Sequence, residues 1–168
     1  MFEKLIKSVP DFPKKGIMFK DITPVLENPE AFEDVISKMA KASKQFNFNR
    51  MALVESRGFI FGSALGLKLG VPFSLIRKPG KLPRETYVES YELEYGNDTL
   101  EVHKDSFNPG DKVLIIDDLL ATGGTAAAVE KLILKTGAKT AGTLCVIELE
   151  FLKGAHQLQF PFEALLKF

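Results

Sequence analysis

The chain has 168 residues, 45% hydrophobic and 26% charged, with 22 Lys+Arg against 22 Asp+Glu and a formal net charge of +0. This is globular composition; it excludes a disordered chain and a nucleic-acid binder held by a basic surplus, so any polyanion site must be local. A single cysteine, Cys145, excludes an intrachain disulfide, and with only His103 and His156 beside it a structural zinc site lacks ligands.

The start, MFEKLIKSVP, has no apolar run of signal-peptide length, and no stretch approaches the roughly 20 apolar residues of a membrane span. The expectation is one domain over 1–168, cytoplasmic, with no membrane and no nucleic-acid partner.

Taken in chain order, residues 1–28 read as irregular: a short helix over Met1–Lys7, then a run broken by Pro10, Pro13 and Gly16. An amphipathic helix is predicted over 29–46, opened by Pro29, with Phe32, Val35, Ile36, Met39 and Phe46 at helical spacing. Residues 51–55 form a buried strand, Phe59–Leu69 a helix stopped by Gly70, and Pro72–Arg77 a second strand parallel to the first. Gly62 and Gly66 lie on one face of that helix and suit close packing on a sheet. Residues 78–104 are polar and aromatic, and the alternation Tyr87, Glu89, Tyr91, Leu93, Tyr95 suggests hairpin arms returning through Thr99–His103. After the Pro109-Gly110-Asp111 turn come a strand over Lys112–Asp117, a helix over Thr125–Lys135 capped by Gly137, and a strand over Thr140–Leu149. Phe160–Phe168 is one more strand or a docked tail. Strands alternating with helices imply an α/β fold on a mostly parallel sheet, with ligands at the carboxyl ends of the strands.

Two segments fall at such ends. In VLIIDDLLATGGT, residues 113–125, an apolar strand runs into Asp117 and Asp118 and then a glycine-rich turn opens a helix. Gly123 and Gly124 let backbone amides converge, Thr122 and Thr125 add hydroxyls, and the helix start contributes its positive dipole end. With no Lys or Arg in the loop, this suits a phosphomonoester. The two acids repel phosphate and instead accept from sugar hydroxyls, so the segment describes a ribose 5-phosphate; the alternative is an ordinary strand–turn–helix. A branched side chain at Gly123 is expected to fill the concavity. In ESRG, Arg57 suits a pair of diphosphate oxygens or a salt bridge to Glu55. In RKPGK, Arg77, Lys78 and Lys81 serve further phosphate or form a solvated basic turn. The P-loop pattern G-x-x-x-x-G-K-[ST] is absent, which argues against a nucleotide kinase of that type. The insertion at 78–104 is placed to act as a lid.

DFPKKGIMFKDITP (11–24), ESRGF (55–59), LIRKPGKLP (75–83), SYELEYG (90–96), VLIIDDLLATGGT (113–125) and IELEFLKG (147–154) resemble, in order, the adenine phosphoribosyltransferases. The likeness covers essentially the whole chain. The 113–125 element is common to type I phosphoribosyltransferases; FKDITP, SRGF, RKPGKLP and SYELEYG together are much more specific to the adenine branch. Ala126 and Ala128 stand where the family often has bulkier residues, and His156 where it more often has Arg.

The resemblance implies the type I phosphoribosyltransferase fold, a mostly parallel twisted sheet flanked by helices, with a base-binding segment at 1–28 and a flexible lid at 78–104. It implies transfer of ribose 5-phosphate from phosphoribosyl pyrophosphate to adenine, giving AMP and pyrophosphate. Ala121, Thr122, Gly123, Gly124 and Thr125 then hold the 5-phosphate, and Asp117 and Asp118 face the ribose hydroxyls. Arg57, Arg77, Lys78 and Lys81 take the pyrophosphate, in part across a subunit interface of a homodimer. Mg²⁺ is held mainly by substrate oxygens and not by a protein cage. Phe19 stacks on the base or packs in the core, the Met18 backbone reads the adenine edge, and Lys20 completes the segment. Glu94 and Tyr95 reach the reaction centre from the lid, Glu94 as general base or as positioning group. The competing readings are another purine base, such as hypoxanthine or xanthine, or a non-catalytic regulator.

Overall fold

The computed structural model describes residues 2–93 and 96–168, and at 92, 93 and 96 the backbone alone. The chain forms two compact units, Met1–Lys38 and Met39–Phe168.

The first unit is more ordered than its Pro and Gly content predicts. Phe2–Leu5 is a 3₁₀ turn where a helix was expected. Two short strands, β1 (Lys7–Pro10) and β2 (Met18–Asp21), pair antiparallel with Pro10 opposite Met18. All four residues of β1 are exposed, so there is no apolar alternation for a sequence reading to detect. A single turn, α1 (Thr23–Leu26), precedes α2 (Pro29–Ala42). The predicted helix over 29–46 therefore ends early: after Ala42 the backbone tightens into a 3₁₀ turn at Ser43–Gln45, and Phe46 is extended. Lys38 bridges Glu3 at 2.7 Å and Asp34 at 3.0 Å within this unit.

The second unit is built on five parallel strands in the order β4-β3-β7-β8-β9. Their ranges are β3 (Arg50–Val54), β4 (Phe73–Ile76), β7 (Lys112–Leu120), β8 (Lys139–Glu148) and β9 (Phe162–Lys167). Helix α3 (Arg57–Leu69) joins β3 to β4, and α4 (Gly124–Lys135) joins β7 to β8. Met51–Val54 and Val113–Ile116 are all buried, the continuous apolar pattern of strands covered on both faces. Gly62 lies so close to β3 that a Cβ would overlap the Leu53 side chain, which is why α3 carries glycine on its inner face. The tail resolves as the edge strand β9.

The hairpin β5 (Thr86–Leu93) and β6 (Gly96–His103) is a separate two-stranded sheet. Its base is part of the core: Leu100 and Val102 are buried in one cluster with Val113, Ile115, Val129 and Leu132, and Tyr87 and Tyr91 pack against it. Burial of an aliphatic side chain contributes about 1.5–3 kcal/mol, so these residues fix the hairpin's base to the sheet. Glu89, on the same strand face as the two tyrosines, bridges Lys131 at 3.3 Å and Lys135 at 2.7 Å on α4. From Tyr87 to Tyr91 the alternation seen in the sequence is thus the face turned toward α4.

The chain steps from β3 out to β4 in one direction and from β7 out to β8 and β9 in the other. The strand order reverses between β3 and β7, and the crevice at that point is where open parallel sheets bind ligands.

Candidate active site

A cleft of about 320 Å³ opens at that reversal. One wall is the β3–α3 turn, the other the β7–α4 turn. Arg57, Lys78, Asp117, Asp118, Thr122 and Thr125 line it, with Ala121 and Gly123. Gly124 is buried at the first position of α4. Strand β7 runs three residues beyond the predicted end, because Leu119 and Leu120 keep pairing with Ile147 and Glu148 past the two acids.

The acids are held close to other groups. Asp117 accepts the Asp118 amide at 2.8 Å, and the Arg57 Nε meets Asp118 Oδ2 at 2.8 Å. Arg57 therefore pairs with Asp118, where the sequence reading offered Glu55 as a partner. A Cβ on Gly58 would sit 3.0 Å from Asp117 Oδ1 and 2.9 Å from the Ile116 carbonyl, so glycine there leaves room for the carboxylate. Burial, and then repulsion from Asp118, pushes the Asp117 carboxyl well above its ordinary 3.8. Burial also raises Asp118, opposed by Arg57.

A carboxyl raised in this way binds its proton more tightly in the native state than in the unfolded chain. Stability then falls as pH rises through the window from 3.8 to the raised value, and the cost persists at neutral pH. Asp117→Asn should therefore melt higher than the parent at pH 7, by about 2–4 °C for each kcal/mol relieved, with a smaller gap at pH 4, while activity falls. Thermal melts at the two pH values check this; an equal or lower melting temperature at pH 7 contradicts it.

Glu55 is the hub of the opposite wall. Its side chain is 9% exposed and takes Arg77 Nη2 at 3.1 Å, Lys81 Nζ at 3.0 Å and the Lys78 amide at 2.8 Å. Burial raises its pKa, but these partners outweigh burial and hold it at about 2. Lys78 is paired with Asp98. The Glu55–Ser56 peptide is cis.

The turn at 121–125 has a feature its composition does not show. Gly123 has φ +88°, the left-handed region that favours glycine, and a Cβ there would fall on the Gly154 carbonyl. The expected filling of the concavity is thus corrected: a side chain at Gly123 meets the backbone behind the turn. Gly123→Val should still lose affinity for AMP and phosphoribosyl pyrophosphate alike, because the turn must shift to admit it. Calorimetry on the folded variant checks this, and unchanged AMP affinity would refute it.

Three participants carried no clear sequence signal. The Tyr91 hydroxyl accepts from Thr125 Oγ1 at 3.1 Å and donates to Asp98 Oδ2 at 3.2 Å, linking the hairpin to the 121–125 turn. Its only trace is its place in the aromatic alternation. Asp98 holds Lys78 and Tyr91 together. Cys145, buried and paired in register with Asp117, lies under the cleft; burial, then the two aspartates, raises its thiol well above the ordinary value.

Residues 21–158 match the family model described as "Phosphoribosyl transferase domain". A protein of Francisella philomiragia named adenine phosphoribosyltransferase is 57% identical over 156 residues, covering 92% of this chain and 89% of that protein. The chain belongs to the adenine phosphoribosyltransferases.

Solved structures of that family superpose on it. The Thermoanaerobacter pseudethanolicus adenine phosphoribosyltransferase has a TM-score of 0.97 at 49% identity, covering 99% of this chain and 98% of its own. The Saccharomyces cerevisiae adenine phosphoribosyltransferase, solved with adenine and an imino-altritol bisphosphate, has a TM-score of 0.92 at 39% identity, covering 98% of this chain and 96% of its own. These agree with the type I phosphoribosyltransferase fold expected from the sequence.

Of the family's expected residues, Met18, Phe19 and Lys20 lie on β2 in the first unit. Phe19 meets the Phe12 ring edge-on at 5.0 Å, and Met18 is 47% exposed. Glu94 and Tyr95 lie outside the described residues. Among the described residues no cluster of three or more His, Cys, Asp or Glu could hold a metal, and no helix is long and apolar enough to cross a membrane.

Proposed function

We propose that this chain transfers ribose 5-phosphate from 5-phosphoribosyl 1-pyrophosphate to adenine, forming AMP and pyrophosphate in purine salvage. The observation that carries it is the β7–α4 turn: adjacent carboxylates and an amide-rich, Lys- and Arg-free phosphate loop meet in one cleft at the strand-order reversal. The family supplies the base, as the yeast relative's adenine complex illustrates.

In this reading the amides of 121–125 and the Thr122 and Thr125 hydroxyls hold the 5-phosphate, while Asp117 and Asp118 accept from the ribose hydroxyls. The C1′–oxygen bond to pyrophosphate breaks, N9 of adenine bonds to C1′, and the N9 proton leaves. Positive charge develops on the ribose, and the two carboxylates tolerate it. Arg57, Lys78, Arg77 and Lys81 receive the pyrophosphate, exchanging their present carboxylate partners for phosphate oxygens. The hairpin within 78–104, its base held in the core, excludes water as a lid, with Glu94 and Tyr95 carried to the reaction centre.

The carboxylate oxygens of Asp117 and Asp118 are the cleft groups that suit a hard cation, and they would orient the sugar oxygens that share it. Mg²⁺, held mainly by substrate oxygens, would supply neutralisation of leaving-group charge. The same reading carries a homodimer in the cytoplasm, with residues 1–28 as the base-binding segment of one 1–168 domain. Incubation of the purified protein with adenine, phosphoribosyl pyrophosphate and Mg²⁺ should yield AMP and pyrophosphate in equal amounts. Failure to form AMP would overturn the assignment.

A further inference from the structure

The 150–160 segment lies outside every expected ligand-binding stretch, yet it closes the back of the phosphate turn. Its two 3₁₀ turns, Glu150–Leu152 and Gly154–Gln157, follow β8. Gly154 is buried, and a Cβ on it would coincide with the Ala121 carbonyl and lie 2.8 Å from the Gly123 amide and 2.9 Å from the Thr122 carbonyl carbon. The reverse holds too, since a Cβ on Gly123 would strike the Gly154 carbonyl. Two backbones thus meet with no side chain between them. Each of the three turn residues that Gly154 touches also lines the cleft.

A second contact holds this segment in place. Glu130, on the second turn of α4 and 3% exposed, accepts the Gln159 amide at 3.1 Å, and the Phe160 amide also donates to it. Between the two contacts, Ala155 and Leu158 pack on Leu120 and Ala126. Ala126 is where the family often has a bulkier residue, and its small side chain leaves that space. A buried carboxylate costs several kcal/mol unless its partners compensate, so Glu130 marks a place where position outweighs simple packing.

We propose that Gly154 and Glu130 are positioning residues for the 5-phosphate: Gly154 sets where the amides of 121–123 point, and Glu130 holds the segment that carries Gly154. This rests on the reading of 121–125 as the phosphate loop. A displacement of about 1 Å at a reacting site can cost on the order of 10²-fold.

The test measures ribose 5-phosphate affinity by calorimetry, together with KM for phosphoribosyl pyrophosphate and for adenine, in the full-length enzyme. Gly154→Ala should weaken ribose 5-phosphate and raise KM for phosphoribosyl pyrophosphate by about 10- to 100-fold, with KM for adenine little changed. Glu130→Ala, which alters no loop atom, should move the same two constants in the same direction. Glu130→Gln, which keeps a carbonyl acceptor for the Gln159 amide, should recover most of the loss. Thr125→Ala reports on the loop itself. If Thr125→Ala weakens ribose 5-phosphate while folded Gly154→Ala and Glu130→Ala leave it unchanged, the positioning role is wrong and the loop reading stands. Should Gly154→Ala not fold, Glu130→Ala and its Gln rescue decide. If Thr125→Ala has no effect either, the loop reading falls and this proposal with it.

Discussion

Adenine should be converted better than hypoxanthine by on the order of 10⁴-fold in kcat/KM. The 6-amino group of adenine donates, and the site proposed on β2 reads it through the Met18 backbone. A 6-oxo base turns an acceptor toward that acceptor, leaving both without a donor. Hydrophobic contact alone cannot give such a ratio, since the purine rings have the same shape. The stacking side is arranged in advance: Phe19 is held edge-on by Phe12, at 71° between ring planes. Initial rates with adenine, hypoxanthine and guanine at saturating phosphoribosyl pyrophosphate measure the ratio. Comparable values for hypoxanthine would sink the adenine assignment and favour another purine.

Glu94→Gln should lower the rate of AMP formation by about 10²–10⁴-fold, with KM for adenine nearly constant. Glutamine keeps the size and hydrogen-bonding capacity but loses the basic carboxylate, so a group needed only as N9 gives up its proton acts on the transition state alone. Product release can limit turnover and mask part of the loss, so the measurement is single-turnover formation of AMP. A rate within about twofold of the parent rejects the general base. A small loss with Gln and a larger one with Ala would assign positioning instead.

Much of the site was legible because its chemistry is written in residue type. Asp117, Asp118 and the glycine-threonine turn after four apolar residues could be placed at a strand end before any fold was known, and the structure brings them to the cleft with Arg57 and Lys78. What stayed hidden depends on contacts far apart in sequence. Gly154 looks like any loop glycine; only its approach to Gly123, 31 residues earlier, gives it a role. Glu55 reads as a neighbour of Arg57, but the parallel pairing of β3 with β4 brings it to Arg77 instead. The β1–β2 hairpin escaped because short exposed strands carry no alternation. The end of β7 was set three residues early because paired charges look like a strand's end, whereas the register with β8 runs on past them.

The lone cysteine gives the enzyme a built-in reporter. Cys145 has no exposed surface, lies on β8 in register beside Asp117 of the central strand β7, and has a thiol that burial raises well above its ordinary value. A thiol-modifying reagent reaches it only when the sheet opens, so the labelling rate counts openings of the molecule's middle. A ligand bound only by the closed form suppresses that population by the factor 1 + [L]/Kd, about 100-fold at 100 times Kd. AMP or phosphoribosyl pyrophosphate should therefore protect Cys145 in proportion to occupancy, and affinity becomes readable from a covalent mass increase on unlabelled, unmutated protein.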